Sequence, residues 1–274
     1  MPRIKIGAYV EDFVNWSYQE LGAILDAISD AVTMFVSGVE WLLLAPPAIV
    51  MAAILAAVAL LVRRKGVAVF TLLAFLLVDS FGLWVATMET LAVVLVSTVI
   101  AIGLGMPLGV WSSRSRTVSV TVRPLLDFMQ TLPAYVYLIP AVFFFGVGLV
   151  PAVIATAVFA IPPAVRLTEL GIRQVDAEMV EAANAFGAHP WQIMREVQLP
   201  LALPTVMAGV NQVIMLALSM VVIAGLVGAA GLGGVVVSAV TQLDIAGGFE
   251  GGLAVVILAI FLDRVTAALG ESNR

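Results

Sequence analysis

The amino-acid sequence predicts an all-α membrane protein: about seven transmembrane helices preceded by an amphipathic N-terminal helix. Two figures and one pattern carry that prediction. Of 274 residues, 62% are hydrophobic and 11% charged, against about 25% charged in a soluble domain, and the mean hydropathy is +1.12. One water-soluble core cannot bury that much apolar surface, so most of the chain has lipid as its solvent. The pattern is one of apolar stretches, each near the roughly 20 residues a helix needs to cross hydrocarbon, divided by charge clusters and by Gly or Pro. A soluble enzyme, a secreted disulfide scaffold and a disordered tail are thereby excluded.

The first element occupies residues 1–40. Val14, Tyr18, Leu21, Leu25, Ile28, Val32, Phe35 and Val39 recur at steps of three or four, with Glu11, Asn15, Gln19, Asp26, Asp30 and Thr33 elsewhere on the wheel, which marks an amphipathic helix. Arg3 and Lys5 stand there against Glu11, Asp12, Glu20, Asp26, Asp30 and Glu40, so anionic lipid does not attract it. A basic start, a continuous apolar run and a small-residue cleavage site, the marks of a signal peptide, are missing. The helix is expected along the outer membrane surface or against the bundle. Residues 41–66 then form a first transmembrane helix with a basic loop, and residues 67–270 a transmembrane domain with a long cytoplasmic loop at 168–200.

The spans fall at about 42–62, 67–85, 90–111, 125–147, 149–167, 201–224 and 252–269. Pro133, Pro140, Pro151, Pro162 and Pro163 interrupt the fourth and fifth. Basic residues gather on alternate connections: Arg63, Arg64 and Lys65, then Arg114, Arg116 and Arg123, then Arg166, Arg173 and Arg195, then Arg264 and Arg274. The other connections hold Asp79, Glu89, Asp244 and Glu250 and no base. Lys and Arg resist translocation, which predicts an outside N-terminus and a cytoplasmic C-terminus.

The loop at 168–200 reads as two short helices with a corner. Asp176 is placed to cap the first, Glu178 lies in its first turn, and Gly187 supplies the left-handed residue that ends it. Pro190 suits the first turn of the second helix, which runs into the membrane near Pro200. Glu181, Ala182 and Ala183 sit just before the corner, where two small side chains allow close entry into a groove of another protein. A plain helix-turn-helix connector would have the same form.

The run Glu181-Ala182-Ala183, three residues, Gly187, nine residues, then Val197-Gln198-Leu199-Pro200 resembles the EAA loop of ABC-importer permeases, with Val197 in place of that motif's isoleucine. The resemblance extends from Arg123–Gly148 through the loop to Leu203–Gly234 and covers roughly residues 67–269. It points to the glycine betaine/proline betaine branch of these permeases. It implies a type I importer fold in a bacterial-type cytoplasmic membrane, a second copy of this chain, two ATP-binding cassette subunits and an extracytoplasmic substrate-binding protein. It also implies that ATP and Mg are bound by the ATPase, with no cofactor in this chain. By position, docking on the ATPase falls to Glu181, Ala182, Ala183 and Gly187, with Leu199 and Pro200 closing the motif. No G-x-x-x-x-G-K-[ST] phosphate loop occurs in the chain, so the energy comes from a partner.

A gate needs backbone that shifts between two arrangements, and Pro/Gly-interrupted helices allow that where neighbours or water cover the freed groups. Two regions qualify: Thr131 to Gly148, and Gly225 to Gly234 after Ser219 and Met220. Pro133, Tyr135, Tyr137, Asn211, Ser219 and Met220 are the candidate pathway or gate residues. Aromatic faces attract quaternary ammonium, so Tyr135, Tyr137 and Phe143 to Phe145 suit weak passing contacts with a betaine. Packing or interfacial use of the same aromatics is the reading the residues favour. Asn211 and Gln212 fit interhelical hydrogen bonds or the pathway. Asp127 is expected to pair with nearby Arg123, and His189 to be a surface or contact residue.

No catalytic residue and no metal site are expected. Cysteine is absent and His189 is the single histidine, so neither a thiolate nor a histidine cluster is available, and an HExxH zinc motif is missing. The net charge of -5 argues against nucleic acid as a partner. Choline, carnitine or proline are alternative solutes, and a secondary transporter without an ATPase is a competing class that inverted repeats would support.

Overall fold

Helices are the only regular structure among the described residues of the computed structural model, 6–61 and 65–271. Arg3, Lys5, Arg63, Arg64 and Arg274 lie outside the described residues. Helix α1 spans Ile6–Leu44, α2 Ala48–Leu61, α3 Lys65–Ser80, α4 Trp84–Arg114, α5 Arg116–Thr131, α6 Leu138–Phe145 and α7 Leu149–Arg173. Helix α8 follows at Ala177–Ala185 and α9 at Pro190–Gln192, which continues through a π-helical turn, Ile193–Gln198, into α10, Leu199–Ala224. Helices α11, Leu232–Gln242, and α12, Ile245–Glu271, complete the chain.

Five of these helices are long and apolar enough to cross a membrane, or six if the bent pair α5–α6 counts as one span. The departure from seven lies near the N-terminus. The predicted first span, 42–62, is divided: α1 runs on to Leu44, the chain breaks at Ala45-Pro46-Pro47, and α2 has 14 residues. Consecutive prolines lack the N–H groups that would carry α1 onward. The described part of the next helix, α3, has 16 residues, and residues 62–64 between it and α2 lie outside the described residues. Helix α1, with 39 residues, passes straight through the boundary expected at residue 40. At 1.5 Å per residue it is about 58 Å long, nearly twice the hydrocarbon thickness.

The fourth and fifth spans diverge. The fourth is broken at Leu132-Pro133, where α5 and the segment Ala134–Phe145 meet at 111°. The fifth is unbroken, because α7 carries Pro162 and Pro163 inside the helix with both rings buried. Close packing of neighbours covers the backbone groups that a proline frees. On α4, a Cβ at Gly105 would come within 2.6 Å of the Ala164 Cβ, and one at Gly109 within 2.6 Å of the Val165 carbonyl. Only hydrogen at these two positions lets α4 and α7 approach so closely. Ser97 Oγ, fully buried, donates across the same pair to the Val153 carbonyl at 3.3 Å.

The main core joins α1, α2, α3, α4, α7, α10, α11 and α12. Phe75 on α3 meets Phe261 on α12 edge-on at 5.4 Å and Trp84 on α4 at 6.2 Å. Val32, Val36 and Leu43 of α1 enter this core, while Phe13 and Val14 border an apolar hollow of about 270 Å³ with Ile139, Pro140, Phe143 and Phe144. Of the two placements expected for the N-terminal helix, contact with the bundle is thus present.

Candidate docking loop and helix breaks

The loop after α7 begins with an expected cap: Asp176 Oδ1 accepts from the Glu178 amide at 3.0 Å. Helix α8 ends in the two hydrogen bonds of a Schellman closure, Ala188 N–H to Ala183 O at 3.1 Å and Gly187 N–H to Asn184 O at 2.9 Å. Gly187 has φ +78°, the left-handed conformation that this closure requires and that glycine adopts at least cost. Pro190 opens the next helix in a capping box, with the Trp191 amide donating to His189 Nδ1 at 3.3 Å and the His189 amide to Gln192 Oε1 at 2.8 Å.

No residue of α8 is buried. Glu181, Ala182 and Gly187 are exposed and Ala183 is half-buried. Beside them Met179 is 51%, Trp191 56% and Phe186 92% exposed. Phe186 thus stands open at the capped corner between α8 and α9. The second arm is anchored to the bundle instead. Met194 packs with Ile172, Ala202 and Val206, and Leu199 lies against them; Pro200 is exposed at the start of α10. Within the motif, then, Glu181 to Gly187 form the open face, and Leu199 helps to fasten it.

Charged contacts tie this corner to the helix ends above it. Arg114, last in α4, donates from Nη2 to the Pro190 carbonyl at 2.7 Å. Arg173 donates from Nη2 to the Ser112 carbonyl at 2.9 Å and from Nε pairs with Glu169 at 3.0 Å. Glu169 Oε1 also accepts from Ser119 Oγ at 2.7 Å and from Arg123 Nη2 at 3.0 Å. The Asp127–Arg123 pair expected on α5 is not formed; Asp127 pairs with Arg166 of α7. Both α5 side chains reach across to α7, where each finds a partner of opposite charge on the facing helix.

The two helix breaks meet. The Gly148 amide donates to the Val227 carbonyl at 2.9 Å, joining the turn before α7 to the turn after α10. The start of α11 is capped by α4: the Leu232 amide donates to Thr90 Oγ1 at 2.8 Å, and Thr90 Oγ1 donates to Ala86 O at 2.8 Å. A broken helix in lipid must have its first amides satisfied by something, and here a different helix supplies the acceptor for Leu232.

The six candidate pathway residues separate by environment. Pro133, Tyr135 and Ser219 are exposed, Tyr137 and Met220 are buried together, and Asn211 is half-buried. Tyr137 donates to the Met129 carbonyl and meets Phe159 edge-on at 5.4 Å. Asn211 bridges helices: its Nδ2 donates to Asp263 Oδ1 at 3.0 Å and its Oδ1 accepts from Thr266 Oγ1 at 2.6 Å. Sequence reasoning passed over Glu169, Asp263, Thr90 and Thr266. Glu169 carried a usable signal, an acid spaced three and four residues from Arg166 and Arg173 in an apolar helix; a capping threonine on another element carries none.

Comparison with known proteins follows the same lines. A family described as the binding-protein-dependent transport system inner membrane component matches residues 101–274. The chain is 50% identical over 266 residues to the glycine betaine transport system permease protein OpuAB of Bacillus subtilis (strain 168), covering 97% of this chain and 94% of that one. It is 44% identical over 271 residues to the glycine betaine/proline betaine transport system permease protein ProW of Escherichia coli (strain K12), covering 99% and 77%. The fold is similar to that of the MetNI methionine ABC transporter in inward-facing conformations, with a TM-score of 0.63 at 24% identity over 68% of this chain and 93% of that one. A match over most of the chain, with these relatives along nearly all of it, places the protein in the binding-protein-dependent transport system inner membrane component family, as a non-catalytic permease subunit of an ABC importer.

Proposed function

We propose that two copies of this chain form the pathway of an ATP-driven importer for a quaternary-ammonium compatible solute such as glycine betaine or proline betaine, serving osmoprotection. The observation that carries the solute class is the likeness to OpuAB and ProW along almost the whole length. Two ATP-binding cassette subunits bind ATP and Mg on the cytoplasmic side, and an extracytoplasmic binding protein delivers the solute. The exposed corner of α8, with Glu181, Ala182, Ala183 and Gly187, docks on the ATPase, and Leu199 and Pro200 lead from it into the membrane.

The basic residues around that corner support the sidedness. Arg114, Arg123, Arg166 and Arg173 gather at one end of α4, α5 and α7, and the positive-inside rule assigns that end to the cytoplasm. The N-terminus is then outside and the C-terminus inside, with α2 and α3 crossing as a pair ahead of α4, the bent α5–α6, α7, α10 and α12, and with α1 lying over the outer side rather than crossing. Tyr135, Pro133 and Ser219 face the pathway, while Tyr137, Met220 and Asn211 hold the helices that line it.

Reconstitution tests this. Vesicles containing the permease, its ATPase subunits and the binding protein should accumulate labelled glycine betaine only with ATP inside the compartment that the ATPase faces. Uptake by the permease alone, driven by an ion gradient, would make it a secondary transporter and sink the proposal.

A further inference from the structure

We infer that Glu169 is a positioning residue, the latch by which α7 holds α5, and that it carries motion of the docking corner to the broken fourth span. The inference rests on the docking role proposed above. Helices α4 and α7 form a tightly seated pair, with backbone contact at Gly105 and Gly109. Helix α5 is held differently. Only Ser119 and Leu126 of its residues are buried, while Val120, Leu125 and Phe128 are more than half exposed. What seats it is polar: Ser119 and Arg123 on Glu169, and Asp127 on Arg166.

Glu169 is unusual in that one oxygen takes three donors, from Ser119, Arg123 and Arg173, on a side chain only 7% exposed. Such a group holds α5 in one orientation, because leaving a buried carboxylate with fewer donors is costly. A seat with little apolar area also separates cheaply once water or a rival donor reaches it. That combination suits an element with two discrete positions.

The contacts run without a gap from the corner to the break. A push on the corner bears on the Pro190 carbonyl and so on Arg114 at the end of α4. Two residues earlier, the Ser112 carbonyl receives Arg173, which shares its carboxylate partner with Arg123 of α5. Helix α5 then ends at the 111° bend, where Tyr137 donates back to Met129. Docking corner, latch and bend are therefore linked by side-chain hydrogen bonds and ion pairs joined through the backbones of α4 and α5.

The test uses the complete transporter with Glu169→Gln and Arg123→Gln, measuring solute moved per ATP hydrolysed. Both should lower that ratio roughly 5-fold or more, the lower end of ordinary coupling between sites, while hydrolysis continues. The double variant should be no worse than Glu169→Gln, since both changes remove the same contact. The Arg123 side chain is 58% exposed, so Arg123→Gln remains readable if Glu169→Gln fails to assemble. A wild-type ratio in Arg123→Gln, or a fall of transport and hydrolysis together in step with the amount of complex, overturns the latch. Gly187→Val is run alongside: if it loses uptake and solute-stimulated hydrolysis while the latch variants keep the wild-type ratio, the latch alone falls; if it keeps wild-type uptake, the docking role falls as well.

Discussion

At Gly187 a single φ of +78° sets the angle between α8 and the arm that returns to the membrane. A β-branched side chain is strongly disfavoured there, at roughly 1–3 kcal/mol. Gly187→Val should therefore redirect the corner without unfolding the bundle: membrane abundance stays near wild type, while solute-stimulated hydrolysis and uptake fall together. Wild-type uptake in that variant would reduce the corner to a connector. Thr90 offers a second residue-scale prediction. Its hydroxyl is the acceptor for the Leu232 amide in a fully buried site, so Thr90→Val leaves a buried N–H unpaired at a cost of about 1–3 kcal/mol. Thermal unfolding in detergent should show a lowered Tm for Thr90→Val and little change for Thr90→Ser. Equal losses in both would mean that packing, not the hydroxyl, matters there.

Among the elements, the bent fourth span carries an aromatic, Tyr137, that bonds back across its bend. Tyr137 is packed against Phe159 and bonded to Met129, so it braces the bend, whereas Tyr135 stands 57% exposed two residues earlier. Tyr137→Leu should slow turnover more than Tyr135→Leu, and neither should reorder competing solutes, because recognition is expected in the external binding protein. Competition assays with an unchanged binding protein check this; a reordered ranking for either variant places specificity in the permease. The same bend explains why proline counting misled at α7. Pro162 and Pro163 lie buried inside an unbroken helix, and Pro124 of α5 and Pro204 of α10 lie exposed inside theirs, whereas the chain turns at Pro133, so a proline alone does not mark a break.

For the whole molecule, sidedness is the property most directly tested. The chain has no cysteine, so a single one can be introduced without background. Ser115 caps α5, which makes the exposed neighbour Thr117 the better site. Thr117→Cys should resist an impermeant thiol reagent in intact cells and react in inside-out vesicles. Labelling from outside would invert the topology, and with it the placement of the docking corner.

The sequence by itself determined the membrane class, the helical composition and the capped corner, because these follow from local quantities: hydropathy summed over about 20 residues, a cap at Asp176, a left-handed residue at Gly187 and a proline at the start of α9. It also held most of the docking motif, since those residues are contiguous and exposed. What only the tertiary structure decided are the properties that depend on which helix faces which. Whether Asp127 pairs with Arg123 or with Arg166, and which helix caps the start of α11, are settled by partners distant in the chain: Arg166 is 39 residues from Asp127, and Thr90 is 142 residues from Leu232. In lipid a backbone amide freed at a helix break must find such a partner, and nothing in the local sequence says where in the chain it will be.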